Sequence, residues 1–246
     1  MKEKLNFSLM RHSYDDHSYI DGKNNTDLTH DGIKLAKEAS VKISEKLKRK
    51  ETDIEIISTS KIRGIHTAEI LKERLDHIGV NSSLRIDKNF RELYQGEMDL
   101  SLMNHEDKIK FLESGWISFD KERRRGNNNY HFGEPHSDLI NTNIIKPPYG
   151  ESQNDFSNRI MQAIKTSLFE DDMNVSKIII THRGGMREIL NAVFASNNNL
   201  PFEQSDSCEM AGLKYCDFRE VTLNDRDNFK KIIARRLLDI WQDQNR

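Results

Sequence analysis

Arg11 and His12 close the first apolar run of this 246-residue chain, Leu5-Asn6-Phe7-Ser8-Leu9-Met10. A second apolar run, Lys177-Ile178-Ile179-Ile180-Thr181, passes straight into His182-Arg183-Gly184-Gly185. Between them Ile54-Glu55-Ile56-Ile57-Ser58-Thr59-Ser60 feeds Lys61-Ile62-Arg63 and a helix-like stretch that begins at Thr67. Three β-rich runs thus each deliver His or Arg at a carboxyl end, which is where open α/β sheets place their ligands. Two histidines and two arginines converging on one crevice make a pocket for a phosphoryl group.

The chemistry asks for that set. A phosphoryl group in transfer carries spread negative charge, so catalysis is mostly positioning and electrostatics, and planar guanidinium forks match its oxygens. A neutral imidazole can attack phosphorus and hold it covalently, splitting one difficult displacement into two easier ones. The leaving alkoxide still needs a proton, and Phe90-Arg91-Glu92-Leu93-Tyr94-Gln95-Gly96-Glu97 offers a carboxylic acid in a loop punctuated by glycine.

Taken in order, the blocks resemble those of the histidine phosphatase superfamily, the phosphoglycerate mutase-like proteins, and specifically its larger branch, branch 1. Leu9-Met10-Arg11-His12-Ser13 is similar to that family's Arg-His-Gly signature, and Asp27 to Ala36 to its "D-x-L-T-x-x-G-x-x-Q-A" block. Ser58 to Glu69 is similar to "S-x-x-x-R-x-x-Q-T-A-E", and Phe90 to Gly96 to the "L-x-E-x-x-x-G" acid loop. Gly150-Glu151-Ser152 resembles a "G-E-S" turn before a helix, and Thr181-His182-Arg183-Gly184 stands where the second histidine is found. Six blocks in order over roughly residues 5 to 195 are far more specific than any one of them. The resemblance implies that His12 is the nucleophile that becomes phosphohistidine. It implies that Arg11 and Arg63 bind the phosphoryl oxygens, that His182 completes the pocket, and that Glu92 is general acid and then base for water. It implies neither a metal nor a cofactor.

Departures from the pattern fall at the pocket. Ser13 and Arg183 each stand where the family carries a glycine, and Ser18, with His17 beside it, stands where many relatives carry asparagine. Glycine there lets backbone approach a ligand or take positive φ. Ser13, Ser18 and Arg183 are therefore candidate substrate-binding positions, the serine at 13 narrowing the pocket or adding a hydroxyl donor and Arg183 adding charge. Taken singly each residue also has an ordinary explanation. Arg63 alone is satisfied by an ion pair with Glu69 or Asp53, and His17, His131 and His136 by loop surface. As strand-end groups the pocket residues are expected to face solvent.

The elements that must carry these residues alternate. Thr29 suits the N-cap of a helix with Ile33, Leu35, Ala36, Ala39, Ile43 and Leu47 at near-helical spacing. A helix runs to Leu75 after the second strand, and Leu84 to Ile86 reads as a short strand. Ser152 suits the cap of a helix carrying Phe156, Ile160, Ala163, Ile164 and Leu168, and Met186 to Phe194 is helical. Alternation with buried apolar strands implies an α/β three-layer sandwich, a mostly parallel central sheet flanked by helices. One domain over 1–246 is expected, with 97–149 an inserted cap or lid that fits the alternation poorly.

Composition excludes more than it assigns. Charged residues make up 32% and hydrophobic ones 35%, with mean hydropathy −0.77 and formal net charge −2. No global basic field points to nucleic acid, and Lys121 to Arg125 is the one notable basic cluster. No apolar stretch approaches the ~20 residues of a membrane span, and two cysteines, Cys208 and Cys216, fit neither a zinc knuckle nor a disulfide framework. The expectation is a cytoplasmic enzyme acting on a small phosphorylated substrate, a phosphoric monoester hydrolase working through phosphohistidine on His12. The alternatives are a phosphoglycerate-mutase-type phosphotransferase and a non-catalytic protein that binds a phosphorylated ligand. Substrate identity and oligomeric state are not legible in the chain.

Overall fold

Each strand of the core alternates its apolar side chains between two covered faces. In the computed structural model, which describes residues 4–15, 26–48, 53–93, 151, 153–170, 175–202 and 213–244, β1 (Leu5–Arg11), β2 (Ile54–Ser58), β3 (Ser82–Ile86), β4 (Ser176–Thr181) and β5 (Phe218–Leu223) form one sheet in the order β3-β2-β4-β1-β5. The first four are parallel, and β5 runs antiparallel along β1. Met10, Ile54, Ile56, Ile178 and Ile180 point to one face, where Ile43, Leu47, Ala68, Leu71 and Leu75 cover them. Phe7, Leu9, Ile57, Ile179, Val221 and Leu223 point to the other, against Phe156, Ile160, Ile164, Ile189, Phe229 and Ile233. Helices α1 (His30–Leu47) and α2 (Ile62–His77) therefore lie on one side, and α3 (Gln153–Lys165), α4 (Arg183–Asn198) and α5 (Arg226–Gln244) on the other. Burial on both faces is what makes β2 and β4 read as near-continuous apolar runs.

The expected three-layer α/β sandwich is thus the observed one. Thr29 caps α1 as expected, its hydroxyl accepting from the Gly32 N–H at 3.0 Å. The apolar stripe of α1 is broken by Ser40 and Ser44, both buried, whose hydroxyls bond the carbonyls of Ala36 and Val41. Several boundaries differ: β3 begins at Ser82, α4 runs from Arg183 to Asn198, Leu168 lies in a π-helical turn (Thr166–Glu170) after α3, and α2 starts at Ile62, so Arg63 sits in its first turn and not in the strand-end loop. The antiparallel edge strand β5 and helix α5 add to the alternation foreseen. Ser18 with His17, the insertion over 97–149 with its histidines and Lys121 to Arg125 run, the Gly150 and Ser152 turn positions and Cys208 lie outside the described residues. Among the described residues no helix is long and apolar enough to cross a membrane.

Candidate active site

Register brings the two histidines side by side. Arg11 pairs with Thr181 across β1 and β4, and Ser58 with Ile180 across β2 and β4. Each ladder continues one residue further, with the His12 N–H donating to the Thr181 carbonyl (3.0 Å) and the Thr59 N–H to the Ile180 carbonyl (2.9 Å). His12, His182 and Thr59 consequently leave three neighbouring strands at one level. The two imidazoles meet edge to face with centroids 4.6 Å apart. The order of strands reverses direction here, because the chain passes from β1 outward to β2 and β3 and returns to β4 between them.

Hydrogen bonds assign the tautomers. His12 Nδ1 lies 2.7 Å from the Ser13 carbonyl oxygen, which can only accept, so Nδ1 carries the proton and Nε2 keeps its lone pair. Arg63 Nη2, which can only donate, lies 3.3 Å from His182 Nδ1, so the His182 proton is on Nε2 and is donated to Thr59 Oγ1 at 3.2 Å. Arg63 Nε approaches His12 Nε2 at 3.4 Å, and one guanidinium therefore bridges both rings. Burial, reinforced by the Arg63 charge, pushes His12 from its ordinary 6.5 down to about 3. Burial likewise holds His182 well below its ordinary value, with the charges of His12 and Arg63 acting in the same direction. Both rings are neutral at physiological pH, and the His12 Nε2 lone pair is not lost to a proton.

The arginines are fixed from opposite sides. Arg63 is 3% exposed, and its carboxylate partner is Asp15 at 3.5 Å, a fully buried residue, in place of Glu69 or Asp53. Arg11 donates from Nη1 to the Leu213 carbonyl at 2.8 Å and lies 3.9 Å from the centroid of the Tyr215 ring. Its buried Nε–H has no acceptor among the described residues. Tyr215 is brought there by a turn in which Cys216 takes φ of 56°, a left-handed conformation uncommon for residues with a side chain. Burial raises the Cys216 thiol to about 11, so it stays protonated. The expectation that pocket groups face solvent is corrected for His12, Arg63 and His182, which are 3% exposed or less. They close the floor of the site.

Of the three positions singled out for departing from the family pattern, two are described. The Ser13 hydroxyl donates to the Gly32 carbonyl at 2.7 Å and its N–H donates to Thr67 Oγ1 at 3.0 Å. Its polar hydrogens are used inside the protein, so the expectation of a hydroxyl offered to a ligand is corrected. The same contact explains Gly32, where a Cβ would collide with the Tyr14 carbonyl: the start of α1 is pressed onto the loop that holds His12. Arg183 is exposed in the first turn of α4, with its charge near enough to Arg11 to add to the lowering that burial produces there. Glu92 reaches that same turn, accepting from the Gly184 N–H at 3.3 Å. A Cβ on Gly184 would strike the Glu92 carboxylate, so glycine is what allows this approach.

The profile of the histidine phosphatase superfamily (branch 1) matches residues 7–226. The chain belongs to that superfamily. Within the histidine phosphatase fold the chain is similar to the phosphoglycerate mutase of Bacillus anthracis str. Sterne, with TM-score 0.56 and 14% identity over 94% of this chain and 97% of that one. It is also similar to a mycobacterial glucosyl-3-phosphoglycerate phosphatase in complex with VO3, with TM-score 0.52 and 19% identity over 88% and 90%, and to mycobacterial hydrolase 1, with TM-score 0.53 and 18% identity over 89% and 92%. At these identities the likeness is one of fold. No curated protein matches the chain. Asp15, Thr59 and Tyr215 touch the pocket side chains and are the residues there that the sequence does not announce. Each acts through a partner distant in the chain, and only Thr59, inside the third-block motif, carried a local signal.

Proposed function

We propose that the protein hydrolyses a phosphoric monoester through a phosphohistidine on His12. One observation carries the reading: a neutral imidazole whose Nδ1–H is held by the Ser13 carbonyl keeps its Nε2 lone pair beside the Arg63 guanidinium. As Nε2 attacks phosphorus the ring becomes cationic, and the Nδ1–H bond to Ser13 strengthens with the charge it stabilises. The ester P–O bond breaks as the P–N bond forms, and Glu92 gives its proton to the departing alkoxide. Arg63, with the buried Nε–H of Arg11 that lacks an acceptor among the described residues, would receive the phosphoryl oxygens, an electrostatic contribution organised before substrate arrives. Water then attacks phosphorus, Glu92 takes its proton, the P–N bond breaks, and Nε2 recovers its electron pair.

Rapid-quench labelling with substrate is the test. A phosphoramidate that is acid-labile and base-stable should map to His12 and be absent in His12→Ala. Label on a serine, or turnover with no label, would sink the mechanism. Dependence of turnover on a bisphosphate primer would turn the reading toward the mutase alternative.

A further inference from the structure

The carboxylate proposed as proton donor hangs on a short loop, and that loop carries an unusual anchor. Residues 89 to 92 present the carbonyls of Asn89, Arg91 and Glu92 to a single guanidinium, that of Arg159 on α3. Nη1 donates to Asn89 (2.6 Å) and Arg91 (3.1 Å), and Nη2 reaches Glu92 (3.4 Å). The other edge of the guanidinium is gripped by Glu151, Nε to Oε1 at 2.6 Å and Nη2 to Oε2 at 2.7 Å. Arg91 Nη2 donates to the same Oε1 at 2.9 Å. A planar fork with five fixed N–H donors can serve two carboxylate oxygens and a row of carbonyls at once, whereas a lysine ammonium has three donors and no fork.

Everything around this anchor converges on Glu92. The Thr181 hydroxyl, one residue before His182, donates to the Phe90 carbonyl at 2.7 Å, tying the loop to the end of β4. Phe156, whose ring the Arg159 guanidinium overlies at 5.2 Å, stands with Glu92 against Gly184. Arg159 and Glu151 are each about one-tenth exposed in their side chains, so the pair is held in low dielectric where its geometry is firm. The Glu92 carboxylate itself is tied only by the N–H groups of Leu93 (3.0 Å) and Gly184 (3.3 Å) among the bonds described. Its position is therefore set by its backbone.

We propose that Arg159, locked by Glu151, is the positioning residue for Glu92 and fixes where the proton donor stands over the phosphoryl pocket. The proposal rests on the phosphatase reading and on Glu92 being the acid in it. Arg159 touches no substrate; it acts through the loop. Misplacement by about an ångström is enough to cost on the order of 10² in rate, and the loss should follow how much the leaving group needs a proton.

The test compares kcat/KM for phenyl phosphate and for p-nitrophenyl phosphate, whose phenolate leaves with less help. Arg159→Lys should slow the phenyl ester about tenfold more than the nitrophenyl ester. In a Glu92→Gln background the same substitution should leave that ratio unchanged, because two residues acting through one proton transfer are not additive. Where Arg159→Lys fails to fold, Glu151→Gln, which keeps shape and removes the charge, is read in the same way. An active wild-type enzyme whose variant slows both esters equally, or whose two substitutions add, overturns the positioning role alone. A wild-type protein inactive on both esters overturns the phosphatase reading and this proposal with it.

Discussion

At the scale of single residues, the hydroxyl at position 13 is engaged within the fold, and we expect it to contribute to stability. Ser13 has no left-handed φ, since Asn199 and Cys216 are the non-glycine residues with positive φ among those described, and its hydroxyl is the donor for the Gly32 carbonyl. Ser13→Gly should therefore cost about 1 to 2 kcal/mol, one buried hydrogen bond plus the added freedom of the unfolded chain. Turnover should change by less than about threefold, against the ~10²-fold typical of losing a preorganised donor. Thermal melting and steady-state kinetics check this, and a large loss of turnover without loss of stability would return Ser13 to the pocket. The pocket residues Arg11, His12, Arg63 and His182 were legible because their motifs are local. Their partners were not: nothing near Arg11 in the chain announces Tyr215, and nothing near Arg63 announces Asp15, because both contacts are made by the fold.

At the scale of elements, the first turn of α4 does two jobs. It starts directly after His182, and its Gly184 admits the Glu92 carboxylate. Alanine is the better helix former by roughly 1 kcal/mol, so Gly184→Ala should leave the helix no less stable. Its methyl would occupy the place of Glu92 Oε1 and push the acid away. The expected result is an unchanged or slightly raised melting temperature, with slow turnover of esters that need a proton on the leaving group. Turnover of phenyl phosphate at the wild-type rate would mean that Glu92 does not sit there during the reaction. Elements with long periodic patterns, α1 and the β2 to α2 unit, were readable from sequence. The start of α2 was misread because Ile62 and Arg63 extend the strand pattern, while the Lys61 carbonyl in fact accepts the first helical bonds.

At the scale of the whole molecule, two neutral histidines buried at the carboxyl ends of β1 and β4 link folding to pH. In the unfolded chain both take up protons below about 6.5, whereas in the folded protein His12 resists protonation down to about 3 and His182 well below its ordinary value. The unfolded state then binds more protons, so stability present at neutral pH is lost as pH falls from 6.5 toward 3. Melting temperatures from pH 8 to pH 4 should show this fall, and His182→Gln should flatten it. An identical slope in the variant would mean that His182 already titrates normally in the fold. The parallel sheet covered on both faces was foreseeable from apolar runs alternating with helical periodicity. The antiparallel β5 was not, since its pattern Phe218-Arg219-Glu220-Val221-Thr222-Leu223 is half polar and buries mainly Val221 and Leu223. Yet β5 is one of the two strands that flank β1. The strand β1, which delivers His12, has no sheet neighbours until β4 and then β5 leave the ribosome. A nascent chain that already contains Arg11, His12, Arg63 and Glu92 therefore has no assembled pocket, and the site is completed late, when β4 and β5 return to enclose β1.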